Sequence, residues 1–313
     1  MTHIKGFFIN LEESKERRRR MEDHLSSIKL GHKYERFNAQ RSTKEEANKR
    51  GLTQGELGLW KSWIKLLEHA ISQTKTEHFT YLHIMEDDTI LNKHIHRQLI
   101  GIDKNFQDAH IILTDMYTNE EIWRKSTNVV DDLKEKEEIA FTKTYTGCLS
   151  SAIIPASHIS HIYSILSCKV NAGDKLLPLD NAVRELQSSG KINILCTLPF
   201  LSTIDITSVI SSDIQEYDSS NTEIGLTQKL NALLRKQLSV LSTKNTTKDI
   251  VETLEMLAEA CDEKSISQSI IKEALRLGKE KDLFRYKLQP RLKGQPGNNQ
   301  DQILGTKLNR NSH

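Results

Sequence analysis

The sequence predicts an α/β fold with a mainly parallel sheet and an α-helical C-terminal extension. Three observations lead there. Short, nearly continuous apolar runs alternate with stretches of helical periodicity up to about residue 220, the pattern of parallel strands joined by crossover helices. The runs are apolar at successive positions rather than at every second one, as in strands covered on both faces. Beyond residue 220 strand signals stop and only helical periodicity remains. The expected division is an α/β domain over 1–220, a helical extension over 221–289 and a disordered tail over 290–313.

The first run is Ile4, Phe7, Phe8, Ile9 and Leu11. A charged helix follows, with Met21, Leu25 and Ile28 on its apolar face and Arg17 to Arg20 on a solvated one. Thr53 and Glu56 form a capping box, and Leu52 and Leu57 stand where a hydrophobic staple would close it. Trp60, Ile64, Leu67 and Ile71 continue that helix as one stripe. Phe79 to Met85 is a second buried strand, ending in Glu86, Asp87 and Asp88, and Ala109 to Met116 is a third. Residues 117–141 are polar and read as a surface excursion. Tyr145 to Ile154 is strand-like around Gly147, and Pro155 opens a helix through Leu166. A helix closes at Gly190, and Ile192 to Leu198 is the last strand. Leu226 to Leu241, Ile250 to Cys261 and Ile266 to Leu277 then repeat at helical spacing.

Composition excludes several function classes. Lys and Arg (44) nearly balance Asp and Glu (42), without the excess of a nucleic-acid-coating protein. Cys148, Cys168, Cys196 and Cys261 never pair as CxxC, so neither a zinc knuckle nor a dense disulfide framework is expected. Reduced thiols and a cytoplasmic location are expected, since no segment matches a signal peptide or a membrane span. From residue 264 onward eleven Lys or Arg face four Asp or Glu. That region is either a soluble tail or a contact with anionic lipid, peripheral to the membrane, or with an anionic acceptor.

Ligands of open α/β sheets bind beyond the carboxyl ends of strands. Three adjacent carboxylates there repel one another unless a cation compensates them. Mg2+ or Mn2+ takes one or two carboxylates together with substrate phosphates, so Glu86, Asp87 and Asp88 are the candidate metal ligands. Acidic triplets also occur as plain turns and helix caps.

Four blocks resemble glycosyltransferase family 25, which includes lipooligosaccharide galactosyltransferases and relatives of collagen galactosyltransferases. They are Ile9-Asn10-Leu11 with Arg17 and Arg18, then Phe37-Asn38-Ala39, then Leu52-Thr53-Gln54-Gly55-Glu56-Leu57-Gly58, and Glu86-Asp87-Asp88. Weaker likenesses follow at Thr146-Gly147 with Ala152 to Pro155, at Pro178-Leu179-Asp180, and at Pro199 with Ser212-Asp213-Ile214. The chain departs from the family where a Cys and a Ser-His pair usually follow Gly58, since Leu59 and Ser62-Trp63 stand there.

The resemblance implies a GT-A-type domain that moves a hexose, such as galactose, from a UDP-sugar to a lipooligosaccharide or surface-polysaccharide acceptor. It implies Asp88 as metal ligand, Glu86 near the donor ribose or sharing the metal, and Asp87 orienting its neighbours. Asn10 and Arg17 would lie near the nucleotide, with Glu56 binding donor, capping its helix, or both. For an inverting transfer Asp180 is the candidate base and Asp115 the reserve, while Asp180 equally suits an N-cap of a helix from Asn181. The C-terminal helices would serve a homo-oligomer, an acceptor platform or a membrane contact. A degenerate homologue that binds sugar nucleotide without turnover, as a regulatory or scaffold subunit, is the second reading, and a metal-dependent phosphohydrolase the third. His158 and His161 share a helix face with no further ligand evident.

Overall fold

The computed structural model describes residues 3–100, 108–206 and 223–243, and a few positions between 246 and 256. Its strands are β1 (Ile4–Asn10), β2 (Tyr34–Asn38), β3 (Tyr81–Glu86), β4 (Thr89–Leu91), β5 (Ile111–Leu113), β6 (Ala140–Thr142), β7 (Ser151–Pro155), β8 (Ile194–Leu198) and β9 (Ser202–Ile204). Seven of them form one sheet in the order β2-β1-β3-β7-β5-β8-β6, and β4 pairs separately with β9. β1 runs parallel to β2 and β3, and β5 to β8, whereas β7 and β6 are antiparallel to their neighbours. The sheet is therefore mixed but mainly parallel.

Period-two alternation sends side chains to two cores. Phe7, Ile9, Leu82, Ile84, Leu113, Ile154 and Ile194 lie in the first. Ile4, Phe8, Tyr81, Met85, Ile112, Ile153 and Leu195 lie in the second. Met21 and Leu25 of α1 (Lys15–Ser27) and Ile95 of α4 (Ile95–Ile100) cover the second core. The first is covered by α3 (Gln54–Gln73), α6 (Ile159–Asn171) and α7 (Leu179–Ser188). Coverage of both faces explains why β1 and β3 read as unbroken apolar runs.

α3 starts as its sequence dictates. Thr53 Oγ1 accepts the Glu56 N–H at 3.2 Å, and the Glu56 carboxylate accepts the Thr53 N–H at 2.8 Å. Leu52 and Leu57 are both buried beside this box. The buried face is wider than the predicted stripe: it comprises Leu57, Trp60, Trp63, Leu66, Leu67 and Ala70, leaving Ile64 and Ile71 at its margin. Trp60 donates its indole N–H to the Leu177 carbonyl at 2.9 Å, tying α3 to the loop before α7. Thr53→Ala is expected to destabilise the protein by about 1 kcal/mol, seen as a lower urea midpoint with an unchanged slope.

Several elements differ from the sequence expectation. Residues 117–141 are not an irregular excursion, because α5 (Glu120–Glu135) and β6 occupy them. Asn119 caps α5 by accepting the Ile122 N–H, and Trp123 and Val130 are buried. A second capping box, Thr43 with Glu46, opens α2 (Lys44–Arg50), which ends at Gly51 in the left-handed region that suits glycine. Pro155 ends β7 instead of opening a helix, which starts at Ile159 after a short 3-10 turn.

Past residue 220 the described helix is α8 (Glu223–Leu238). It packs Leu226, Leu233, Leu234 and Leu238 into the first core. Asn231 donates to the Thr118 carbonyl at 2.6 Å, and Lys134 donates to the Gln237 carbonyl at 2.7 Å. Ser212-Asp213-Ile214, most of the segment from Ile250 to Cys261, and everything from residue 264 lie outside the described residues. Among the described residues no helix is long and apolar enough to cross a membrane.

Candidate active site

β1, β2 and β3 end side by side, and the chain leaving each one bounds a cavity of about 320 Å3. Its walls are the end of β1 and start of α1 (Asn10, Ser14, Arg17), the loop after β2 (Ala39 to Ser42), the first turns of α3 (Gln54, Gly55, Gly58) and the triplet Glu86-Asp87-Asp88. The four blocks singled out in the sequence thus meet around one space.

Close approach of two backbones shapes its side wall. A Cβ on Gly58 would lie 2.8 Å from the Gln40 carbonyl oxygen, so only glycine lets the loop rest on α3. Ser62 fastens the contact, accepting the Gln40 N–H at 2.8 Å while its hydroxyl donates to the Gly58 carbonyl at 2.7 Å. Ser42 and Gln54 clip the loop again, each donating to the other's backbone carbonyl. Leu59 and Ser62 line the cavity, whereas Trp63 is wholly buried in the core. The tryptophan at the departure from the family pattern is therefore a packing residue.

The triplet divides its labour. Asp87 is held by the Asn10 amide at 2.6 Å and by Arg17 at 2.5 Å. Asn10 has its other bonds committed too, donating to the Ser14 carbonyl and accepting from Arg36. Asn10 and Asp87 therefore organise the site, and Arg36 is an organiser that the sequence reading missed. Of the arginine run, Arg17 pairs with the triplet, reaching Asp88 at 3.4 Å. Arg18 and Arg19 make exposed pairs along α1, as a solvated face should.

Glu86 and Asp88 are costly to keep ionised. Burial first, then Asp88 and Asp87, pushes the Glu86 carboxyl up to about 8. Burial pushes Asp88 up to about 6, Arg17 pulling the other way and Asp87 adding to the rise. Asp88 Oδ1 is buried without a hydrogen-bond partner. An orphaned carboxylate oxygen beside a second desolvated carboxyl fits a hard cation that brings phosphate oxygens as its remaining ligands. Among the described residues no group of three acidic, His or Cys side chains is arranged to hold a metal by itself.

The other predicted site residues lie elsewhere. The Glu56 carboxylate is engaged in the capping box and does not line the cavity. Asp115, just past β5, is fully buried and ion-paired with Arg235 of α8. Ser150 donates to Asp115 Oδ1 at 2.8 Å and accepts from Arg235 at 2.8 Å. Burial opposes the Arg235 charge, but Asp115 raises its pKa further above the ordinary arginine value. Asp180 sits in the first turn of α7, whose N-cap is Pro178, and not at the cap. Its carboxylate accepts the N–H groups of Asn181 at 2.8 Å and Cys148 at 3.4 Å. His158 and His161 do gain a neighbour, His110, with ring centroids at 4.6 and 5.1 Å. However, His110 Nδ1 accepts the Asn193 N–H, which places the ring proton on Nε2 and leaves no lone pair there for a metal.

Residues 3–154 match the family model of glycosyltransferase family 25, described as LPS biosynthesis protein. The match includes every block that lines the cavity, and the chain is a glycosyltransferase. Asp180 and Arg235 lie beyond the family segment. No curated protein matches the chain.

Proposed function

We propose that the chain is a GT-A-type, metal-dependent transferase that moves a hexose from a UDP-sugar to a lipooligosaccharide or other surface-glycan acceptor. The observation that supports it most is the meeting of the family's four blocks around one cavity that ends at desolvated, cation-seeking carboxylates. Asp88 and Glu86 would hold Mn2+ or Mg2+, which supplies charge neutralisation at the donor diphosphate. The first turn of α3 directs its dipole toward that space, and an anionic group is stabilised at such an end. Arg17 adds a fixed positive charge, positioned by Asp87.

In an inverting transfer the acceptor hydroxyl loses its proton to Asp180 as its oxygen bonds to the anomeric carbon. The bond from that carbon to the diphosphate oxygen breaks, and UDP leaves with the electron pair. Asp115 is unsuited to this step in its present setting, because both of its oxygens are committed inside the protein. The balanced overall charge argues against nucleic acid as the substrate, and the proposed reaction acts on a nucleotide sugar and glycan at the cytoplasmic side.

Thermal-shift measurements with UDP-galactose, UDP-glucose and other nucleotide sugars, with and without Mn2+, test the donor site. A native-state ligand at 100 times its Kd stabilises by about 2.7 kcal/mol, so one donor is expected to raise Tm only when Mn2+ is present. Folded protein that no donor shifts would remove the donor site and transfer the assignment to a scaffold role.

A further inference from the structure

We infer that Tyr117, Gly147 and Asp180 form a subsite for one pyranose ring of the acceptor. This inference rests on the glycosyltransferase reading above. Tyr117 is one of the few large hydrophobic side chains left exposed among the described residues, at 44%. Its backbone is nonetheless fixed: its N–H donates to the Gly147 carbonyl at 3.0 Å, and its carbonyl accepts the Thr146 hydroxyl at 2.5 Å. An aromatic ring that is open to solvent on a pinned backbone offers rigid contact area at low entropic cost.

Gly147 keeps the ground beside that ring clear. Its φ of 135° lies in glycine's territory, and a Cβ there would stand 3.2 Å from Asp180 Oδ2 and 3.9 Å from Tyr117 Cβ. A side chain at this position would fill the space between aromatic wall and carboxylate. Arg184 stiffens the surround by donating to the Thr146 carbonyl at 3.1 Å and to Asn181 Oδ1 at 2.8 Å. Asp180 retains lone pairs beyond the two backbone N–H groups it accepts.

The arrangement suits a sugar. A pyranose has an apolar C–H face that stacks on an aromatic ring and hydroxyls that donate to a carboxylate, the mixture of apolar wall and few polar groups that fixes small ligands. Its place also suits an acceptor. Tyr117 follows β5 and Gly147 precedes β7, and β7 is hydrogen-bonded to β3, whose end carries the triplet. With strands about 4.8 Å apart, β5 lies roughly 10 Å from β3 along the sheet, room for a donor hexose and an acceptor ring side by side.

Saturation-transfer NMR of the full chain with methyl hexopyranosides of glucose, galactose and mannose tests the subsite, alongside the thermal shift with UDP-galactose and Mn2+. The wild type is expected to transfer saturation to at least one methyl glycoside. Tyr117→Ala should weaken that binding about tenfold, Tyr117→Phe should keep it, and both should retain the donor shift. Absence of transfer in the wild type, or full transfer in a folded Tyr117→Ala variant, overturns the subsite. Tyr117-dependent glycoside binding without any donor shift would leave the subsite standing and remove the transferase reading instead.

Discussion

Asp88→Asn is expected to abolish metal-dependent donor binding and to lower kcat/KM by about 10²–10³-fold, the scale of losing one group that stabilises developing charge. The fold should survive, because the substitution removes a carboxyl that burial already disfavours and leaves Arg17 on Asp87. Unchanged Mn2+-dependent turnover would sink the metal assignment. The same carboxyls set a pH dependence. Their folded values, about 8 for Glu86 and 6 for Asp88, lie above the ordinary 4.5 and 3.8. The metal-free protein therefore holds protons that the unfolded chain has released. The stability they contribute is complete below about pH 4 and is lost as pH rises through 6 and then 8. A cation must displace those protons, so Mn2+-dependent donor affinity should rise over the same interval.

Arg235→Met is expected to cost about 3–5 kcal/mol, because it strands the Asp115 charge inside the protein. The guanidinium and the carboxylate are 3% and 0% exposed, so solvent cannot compensate either. Equilibrium urea denaturation measures the loss. The double variant Asp115→Asn with Arg235→Met should recover most of it, since no buried charge remains unpaired. Equal stability of the single variant and the wild type would show that Asp115 finds another partner.

What the sequence disclosed follows from the range of the interactions involved. β1 and β3 were legible because burial on both faces makes their whole length apolar. α3 was legible because its cap, staple and apolar face all lie within twenty residues of chain. β4, β6 and β9 are three residues each, too short to show any period, whereas β5, equally short, lies inside the apolar run from Ala109 to Met116 that reads as a strand. α5 was hidden by its charge, although Asn119 followed by Ile122 and Trp123 was a usable cap signal. At the site, Glu86 to Asp88 announced itself as a contiguous motif. Arg36 and Arg235 did not, since each is defined by a partner far along the chain: Asn10 lies 26 residues from Arg36, and Asp115 lies 120 from Arg235. The division at residue 220 followed a change of pattern, yet α8 shares the core of the preceding domain.

That separation of 120 residues also bears on how the enzyme is made. Chains leave the ribosome N-terminus first, and the segment bearing Asp115 emerges well before α8. Until then the end of β5 carries a carboxylate without its cation, and Ser150 has only half of its final bonds there. The cavity can close early from residues 9 to 88, whereas the end of β5 waits for Arg235. A nascent chain should therefore enclose its cavity before the buried pair at the end of β5 is complete.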